Sequence, residues 1–231
     1  MMMKNIFLVT LFFIGAAGPS WAKAALRSEK TTVVFFGDQG ADNFEKKVKP
    51  LFIEQARTCK SCEIIDMSPY DASGKFDLKL LAEKIESLPG ETSFVFFGFN
   101  MKVNDQNKGI VEVLNKKAEA GLVVVGTAGI PGTTEASGPL SRTILGQVHS
   151  ALIIGELGEK DRLIPTGFYG PEMLTAVRPP KDFMGQGVAP LIFAAELAEN
   201  WPKRTAVAWV EFLKNKKMKT RKIWLEMGDV F

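Results

Sequence analysis

Asp38 is the first residue whose position in the sequence suggests chemistry. It follows an apolar, β-branched run at residues 32–36, and ligand sites in parallel sheets lie beyond the carboxyl ends of the strands. A carboxylate at such a place can orient or polarise a reacting group. The alternative is a structural role, as an Asx-turn or a helix cap, and both remain open from this residue alone.

Closely spaced glycines follow another apolar run, at residues 122–125. Gly126, Gly129 and Gly132 permit close backbone approach to a ligand or to another segment. A dinucleotide-binding fingerprint needs a G-x-G-x-x-G spacing that opens a helix, and these glycines do not match that spacing. Because the glycines still permit close backbone approach, a phosphate held by backbone N–H groups, as in a flavodoxin-like or Rossmann-like small-ligand binder, remains an alternative hypothesis.

Cys59 and Cys62 form a C-x-x-C pair between a predicted helix and a predicted strand. In an oxidising compartment such a pair forms a small loop disulfide. A thioredoxin-type site would place the cysteines at a helix N-terminus, and haem attachment would need a histidine after Cys62. We therefore expect a structural disulfide. With two cysteines and one histidine, we expect no metal site of the Cys/His type and no cofactor.

His149 is the only histidine in the sequence. A hydrolytic triad built on this imidazole would need a nearby nucleophile, and Ser137, Ser141 and Ser150 are the serines closest in sequence. A lone histidine beside an apolar strand is more often structural, so we treat this replacement triad as an alternative.

The elements that position these residues alternate in type along the chain. Short apolar runs predict strands at residues 32–36, 63–65, 93–97, 122–125 and 151–154, and four of the five are nearly continuous, as in strands buried on both faces. Helical patterns lie between them, one of them over residues 110–118 with Asn104 or Asp105 as its cap. The prediction is an α/β fold with a mainly parallel sheet and right-handed crossovers. Two consecutive helices are expected near the C-terminus.

The first 22 residues have the pattern of a secretory signal peptide. A basic start precedes an apolar run over residues 6–17, which is too short to span a bilayer well, and small residues precede a cleavage site after Ala22. We expect residues 23–231 to form a single domain, secreted or periplasmic, with no later transmembrane segment. The net charge of +3 does not indicate a nucleic-acid partner. We interpret the basic cluster at residues 214–222 as a solvated helix end.

Four segments together resemble the subtilisin-like serine protease family. Asp38-Gln39-Gly40 is similar to the family's D-x-G, and residues 120–129 are similar to its glycine-flanked hydrophobic strand. Residues 169–172 read Y-G-P-E, as ahead of the family's nucleophile, and residues 185–190 resemble its G-T-S-x-A-x-P segment. The order and spacing match over nearly all of residues 23–231. The resemblance implies a three-layer α/β/α fold.

The departures from the family pattern decide the expected function. The family's histidine is missing, because His149 matches a different strand. The nucleophile position holds Gln186 or Gly187, and neither has a hydroxyl or thiol for a base to activate. Ile130 stands at the oxyanion position and has no side-chain donor. Asp38 alone remains, as a vestige.

The resemblance therefore implies an exported pseudoprotease that binds a protein or peptide ligand without cutting it. The family holds its substrate as an extended strand between two edge segments. We call the matching segments here the first rim, residues 98–100, and the second rim, residues 127–129. They comprise Gly98, Phe99 and Asn100, and Thr127, Ala128 and Gly129. The alternatives are an active serine-type hydrolase with non-standard residues, and the flavodoxin-like or Rossmann-like small-ligand binder.

Overall fold

The computed structural model of the chain describes residues 30–37, 43–71, 73–129, 138–158, 162–163, 167–179, 181 and 188–220. Within these ranges, no helix is both long and apolar enough to cross a membrane.

Six parallel strands form the central sheet, in the order β2-β1-β3-β4-β6-β8. They are β1 Thr31–Phe36, β2 Cys62–Asp66, β3 Thr92–Phe97, β4 Val124–Thr127, β6 Ala151–Glu156 and β8 Met173–Val177. A second, two-stranded sheet pairs β5, Gly138–Pro139, with β7, Phe168–Tyr169. The chain moves outward from β1 to β2 and then crosses back to β3. The strand order therefore reverses between β1 and β3, and in open α/β sheets this is where ligand crevices form.

Helices cover both faces of the sheet. They are α1 Lys49–Gln55, which a π-helical turn at Phe44–Val48 precedes, α2 Leu78–Glu86, α3 Lys108–Glu119, α4 Ala189–Asn200 and α5 Ala206–Thr220. α1, α4 and α5 pack on one face, and α2 and α3 pack on the other. The predicted three-layer α/β/α architecture with a parallel sheet is confirmed.

The strand residues alternate between two apolar clusters. In β1, Val33 and Phe35 face α1 and α4, whereas Val34 and Phe36 face α2 and α3. Phe35 stacks on Phe96 at 5.6 Å between ring centroids, and Phe36 stacks on its cross-strand partner Phe97 at 5.0 Å. These stacked pairs lie next to the carboxyl ends of β1 and β3, so they hold together the two strands that flank the order reversal.

Two details differ from the sequence-based expectation. β8 was not predicted, because its five residues include the polar Thr175, which is fully buried. The predicted cap of α3 is also wrong, since the helix begins at Lys108. The Asn104 side chain instead accepts hydrogen bonds from the N–H groups of Gln106 and Asn107, in an Asx-turn ahead of the helix.

Cys59 and Cys62 are joined by a disulfide. It closes the short connection between the end of α1 and the start of β2. The neighbouring Thr58 hydroxyl donates a hydrogen bond to the carboxylate of Glu199 at the end of α4. This loop is therefore tied to α4, which fits a structural role.

Candidate functional site

The chain leaves β1 through Gly37, the residue before Asp38. The Gly37 N–H donates to the Ser68 hydroxyl at 2.7 Å, and a Cβ at this glycine would lie 2.6 Å from the Phe35 ring. The Ser68 N–H in turn donates to the Asp66 carboxylate at 2.8 Å. The carboxyl ends of β1 and β2 are thus fixed together. Asp38 itself, and likewise Ile130, Gln186 and Gly187, lie outside the described residues.

The first rim begins directly after β3. Its Gly98 N–H donates to the Phe36 carbonyl at 2.9 Å, which keeps the rim beside the end of β1. Phe99 turns inward and packs edge-on against Phe97 and Phe76. In the described structure, the backbone N–H and C=O groups of Phe99 and Asn100 have no hydrogen-bond partner. The first rim therefore offers free backbone groups but no large side chain.

The Asn100 side chain anchors the first rim to the segment before β6. Its amide nitrogen donates to the Thr143 hydroxyl at 3.1 Å, and its amide oxygen accepts from the Leu145 N–H at 3.3 Å. Thr143 is fully buried, and its hydroxyl also donates to the Leu140 carbonyl at 2.8 Å and accepts from the Gly146 N–H at 3.1 Å. A network of this kind is stable only when every member is satisfied.

The second rim has its backbone groups paired within the chain. The Ala128 N–H donates to the Ile154 carbonyl, and the Ala128 carbonyl accepts from the Phe168 N–H, both at 2.9 Å. Thr127 is buried, and its hydroxyl oxygen accepts from the Gly129 N–H at 3.1 Å. The Phe168 ring lies 3.0 Å from where a Cβ of Gly129 would stand. β7 therefore covers the edge that a bound strand would need.

Side chains pack closely against the glycine-rich segment at the end of β4. A Cβ at Gly126 would lie 2.5 Å from a methyl carbon of Leu145. Leu145 is buried and, as described above, also reaches the first rim through Asn100. No open phosphate cradle exists at residues 126–129, the part of the glycine segment that the structure describes. This contact weighs against the small-ligand alternative.

His149 lies two residues before β6 begins, at the amino ends of the strands, whereas the two rims lie at the carboxyl ends. Ile154 of β6 pairs with Thr127, and the strand steps from Ala151 to Ile154 alone span about 10 Å. The His149 N–H donates to the Asn115 side chain at 3.0 Å, and the Ser150 hydroxyl donates to the Leu122 carbonyl at 3.1 Å. Across the described residues, no serine hydroxyl bonds to the His149 ring; Ser137 lies outside them.

No group of three or more histidine, cysteine or carboxylate side chains within the described ranges is placed to hold a metal ion.

Sequence reasoning missed the residues that support and close the rims. Thr143 and Leu145 lie more than 40 positions after the first rim, and Phe168 lies 40 positions after Ala128. No local pattern marks these residues, because their roles arise from contacts between distant segments. The glycines at positions 126 and 129 are the one available signal, since a glycine in or after a strand often marks close packing by another group.

The fold is similar to those of several solved proteases. A cold-adapted subtilisin-like serine proteinase matches with a TM-score of 0.55 and 12% identity, covering 81% of this chain and 82% of that one. A lanthipeptide protease matches with a TM-score of 0.53 and 10% identity over 83% and 81%. A psychrophilic protease matches with a TM-score of 0.55 and 11% identity over 85% of each chain. No protein-family model matches the sequence, and no curated protein does.

Proposed function

Starting from the subtilisin-like fold that these structures share with the chain, we propose an exported, catalytically inactive domain that binds an extended peptide segment. The position of His149 carries this proposal. It is the only imidazole in the sequence. It lies at the amino ends of the parallel strands, whereas Gly37 and both rims lie at their carboxyl ends. A base there cannot reach a nucleophile beside Gly37, the residue before Asp38, because general base catalysis requires direct hydrogen-bond contact or one bridging water.

The residue types at the other matched positions support the same proposal. Gln186 or Gly187 provides no group for nucleophilic attack. Ile130 cannot donate a hydrogen bond, and loss of one oxyanion donor alone costs about a hundredfold in rate or more. The expected peptidase rate is therefore negligible.

The first rim is the better binding edge. A peptide in extended conformation can pair with the free backbone groups of Phe99 and Asn100, in the manner of strand addition. The second rim offers no such pairing, because Ala128 is bonded to both Ile154 and Phe168. We therefore propose that the peptide pairs with one rim and is not held between two. Since Phe99 faces the core, recognition depends mainly on backbone hydrogen bonds.

Export is part of the proposal. The pattern of residues 1–22 is that of a signal peptide. The Cys59–Cys62 disulfide is of a kind that persists in oxidising compartments.

Catalytic inactivity is tested with the mature protein, residues 23–231, and a fluorophosphonate probe for activated serines. We expect neither labelling nor turnover of a broad fluorogenic peptide pool. Heat-denatured protein controls for non-specific labelling, and an active subtilisin controls for the assay. Labelling of one serine together with peptide turnover would reject the pseudoprotease and would support the alternative of a hydrolase with non-standard residues.

Peptide binding is tested by selection from a displayed random peptide library, followed by hydrogen exchange of the complex. We expect the amides of Phe99 and Asn100 to exchange more slowly when a selected peptide is bound. The Ala128 amide is the internal control, because it is already bonded to Ile154. A peptide that protects other amides and leaves the first rim unchanged would contradict this binding site.

A further inference from the structure

A cavity of about 460 Å³ lies at the amino ends of β6 and β8, on the edge opposite the rims. The turn Leu145–Gln147 and Val148 form one wall, Pro171 and Glu172 form another, and Lys214 of α5 closes a third side. The volume falls in the range of about 300–1,000 Å³ that is typical of small-molecule sites. Nothing in the proposed peptide binding uses this cavity.

Two opposite charges line the cavity without pairing with each other. One carboxylate oxygen of Glu172 is buried and has no hydrogen-bond partner. The Lys214 ammonium donates to the His149 carbonyl at 2.8 Å. Glu172 and Lys214 both belong to the described part of the chain, and no ion pair within 4.0 Å joins them there.

Both charged groups favour a polar ligand. The Glu172 carboxylate brings a negative charge to the cavity wall without an ion pair, so a ligand N–H group at this carboxylate would stabilise it. Lys214 as a whole is exposed. Its ammonium group is partly desolvated by the surrounding protein, and this lowers its pKa. An anion beside the ammonium would offset that loss of solvation.

The remaining surface of the cavity is mostly apolar. Its apolar part is formed by Leu145, Val148, Ala151, Ile153 and Leu174, and Gln147 and His149 also line the cavity. A ligand that interacts with Glu172, with Lys214 and with the apolar wall therefore needs a cation, an anion and a hydrocarbon group within one small molecule.

We propose that this cavity binds a free α-amino acid with an apolar side chain. Its ammonium group donates to Glu172, its carboxylate pairs with Lys214, and its side chain packs on Leu145, Val148 and Ile153, which share one face of the sheet. A simple amine would leave Lys214 without an anion, and a fatty acid would leave Glu172 without a donor. The site is independent of the proposed peptide binding, and neither result decides the other.

The test is calorimetric titration of the mature protein with L-leucine, with thermal unfolding as a second readout. We expect saturable binding at one site and a rise in Tm with leucine concentration. Leucinamide lacks the carboxylate, 4-methylpentanoate lacks the ammonium, and glycine lacks the hydrocarbon. Each should bind about tenfold more weakly or worse. Absence of leucine binding, or equal binding of the analogues, would overturn the proposal.

Substitutions at Glu172 and Lys214 test whether leucine binds in this cavity. Glu172→Gln and Lys214→Met should each weaken leucine binding by about 10- to 100-fold. Glu112→Gln and Lys116→Met, on the exposed surface of α3, are the matched controls and should leave binding unchanged. Lys214→Gln is a second variant if Lys214→Met does not fold, and circular dichroism verifies folding. Unchanged leucine affinity in folded Glu172 and Lys214 variants would also overturn the proposal.

Discussion

A methyl carbon of Leu145 lies 2.5 Å from the position that a Cβ atom of Gly126 would occupy. The Cβ and carbonyl oxygen of Phe97 lie 3.2 Å from the same position. The glycine after the apolar run of β4 is therefore required by side-chain packing. The Leu145 backbone also holds Asn100, so this one contact joins the interior of the sheet to the first rim.

Gly126→Ala is expected to destabilise the protein by about 1–3 kcal/mol, because an added methyl group overpacks this site. Leu145→Ala alone should cost about 2–5 kcal/mol through the cavity that it leaves. The double variant should lose less stability than the sum of the two single losses, because alanine at position 145 makes room for the added methyl group. Urea unfolding of the four proteins measures this coupling.

Gly109→Ala is the matched control for the glycine substitution. Gly109 lies in α3 and has no atom within 4 Å of its would-be Cβ, so alanine should be neutral or stabilising. Additive losses in the Gly126 and Leu145 double variant would show that the close contact does not limit this site.

Thr143→Val is expected to cost about 2–4 kcal/mol. It removes the hydroxyl that accepts from Asn100 and Gly146, and it leaves these two half-buried donors without that partner. Thr143→Ser keeps the hydroxyl and removes one methyl group, for about 1 kcal/mol. Chemical denaturation gives the two free energies, and hydrogen exchange at the Leu145 and Gly146 amides should be faster in the valine variant only. Equal losses in both variants would assign the role of Thr143 to packing.

Glu196 on α4 should make the stability of the protein depend on pH. Burial raises its pKa above the usual value of 4.5, the nearby Glu199 carboxylate raises it further, and Arg57 partly opposes this. A carboxyl group with a raised folded-state pKa stabilises the fold in its protonated form. The contribution is complete below the unfolded-state pKa and is lost as the pH rises through the folded-state pKa.

Glu196→Gln, which stays neutral, should therefore gain stability relative to the wild type as the pH rises from 4 to 7. Parallel thermal unfolding at several pH values measures the difference. Glu112→Gln is the matched control, because it removes one exposed carboxylate from α3. A difference between Glu196→Gln and wild type that does not change with pH would contradict the expected shift.

The parallel α/β class was readable from the sequence, because strands buried on both faces need continuous apolar residues. The runs that became β1 and β3 show this clearly, with two adjacent phenylalanines at the end of each. β8 was missed because a buried threonine interrupts its short run, and Thr175 is accommodated only in the finished sheet. The start of α3 was misplaced because Asn104 caps a turn, and turns and helix ends use the same short polar side chains.

Residue type alone establishes which chemical groups the matched positions offer: positions 186 and 187 have no hydroxyl, position 130 has no side-chain donor, and the chain has a single imidazole. Distances between segments depended on the assembled sheet. The separation of His149 from the carboxyl edge follows from the register of β6 with β4. The covering of Ala128 by Phe168, and the Glu172 and Lys214 cavity, join segments about 40 residues apart. Such contacts leave no periodic trace in a sequence, because they form only when packing of the apolar faces brings distant segments together.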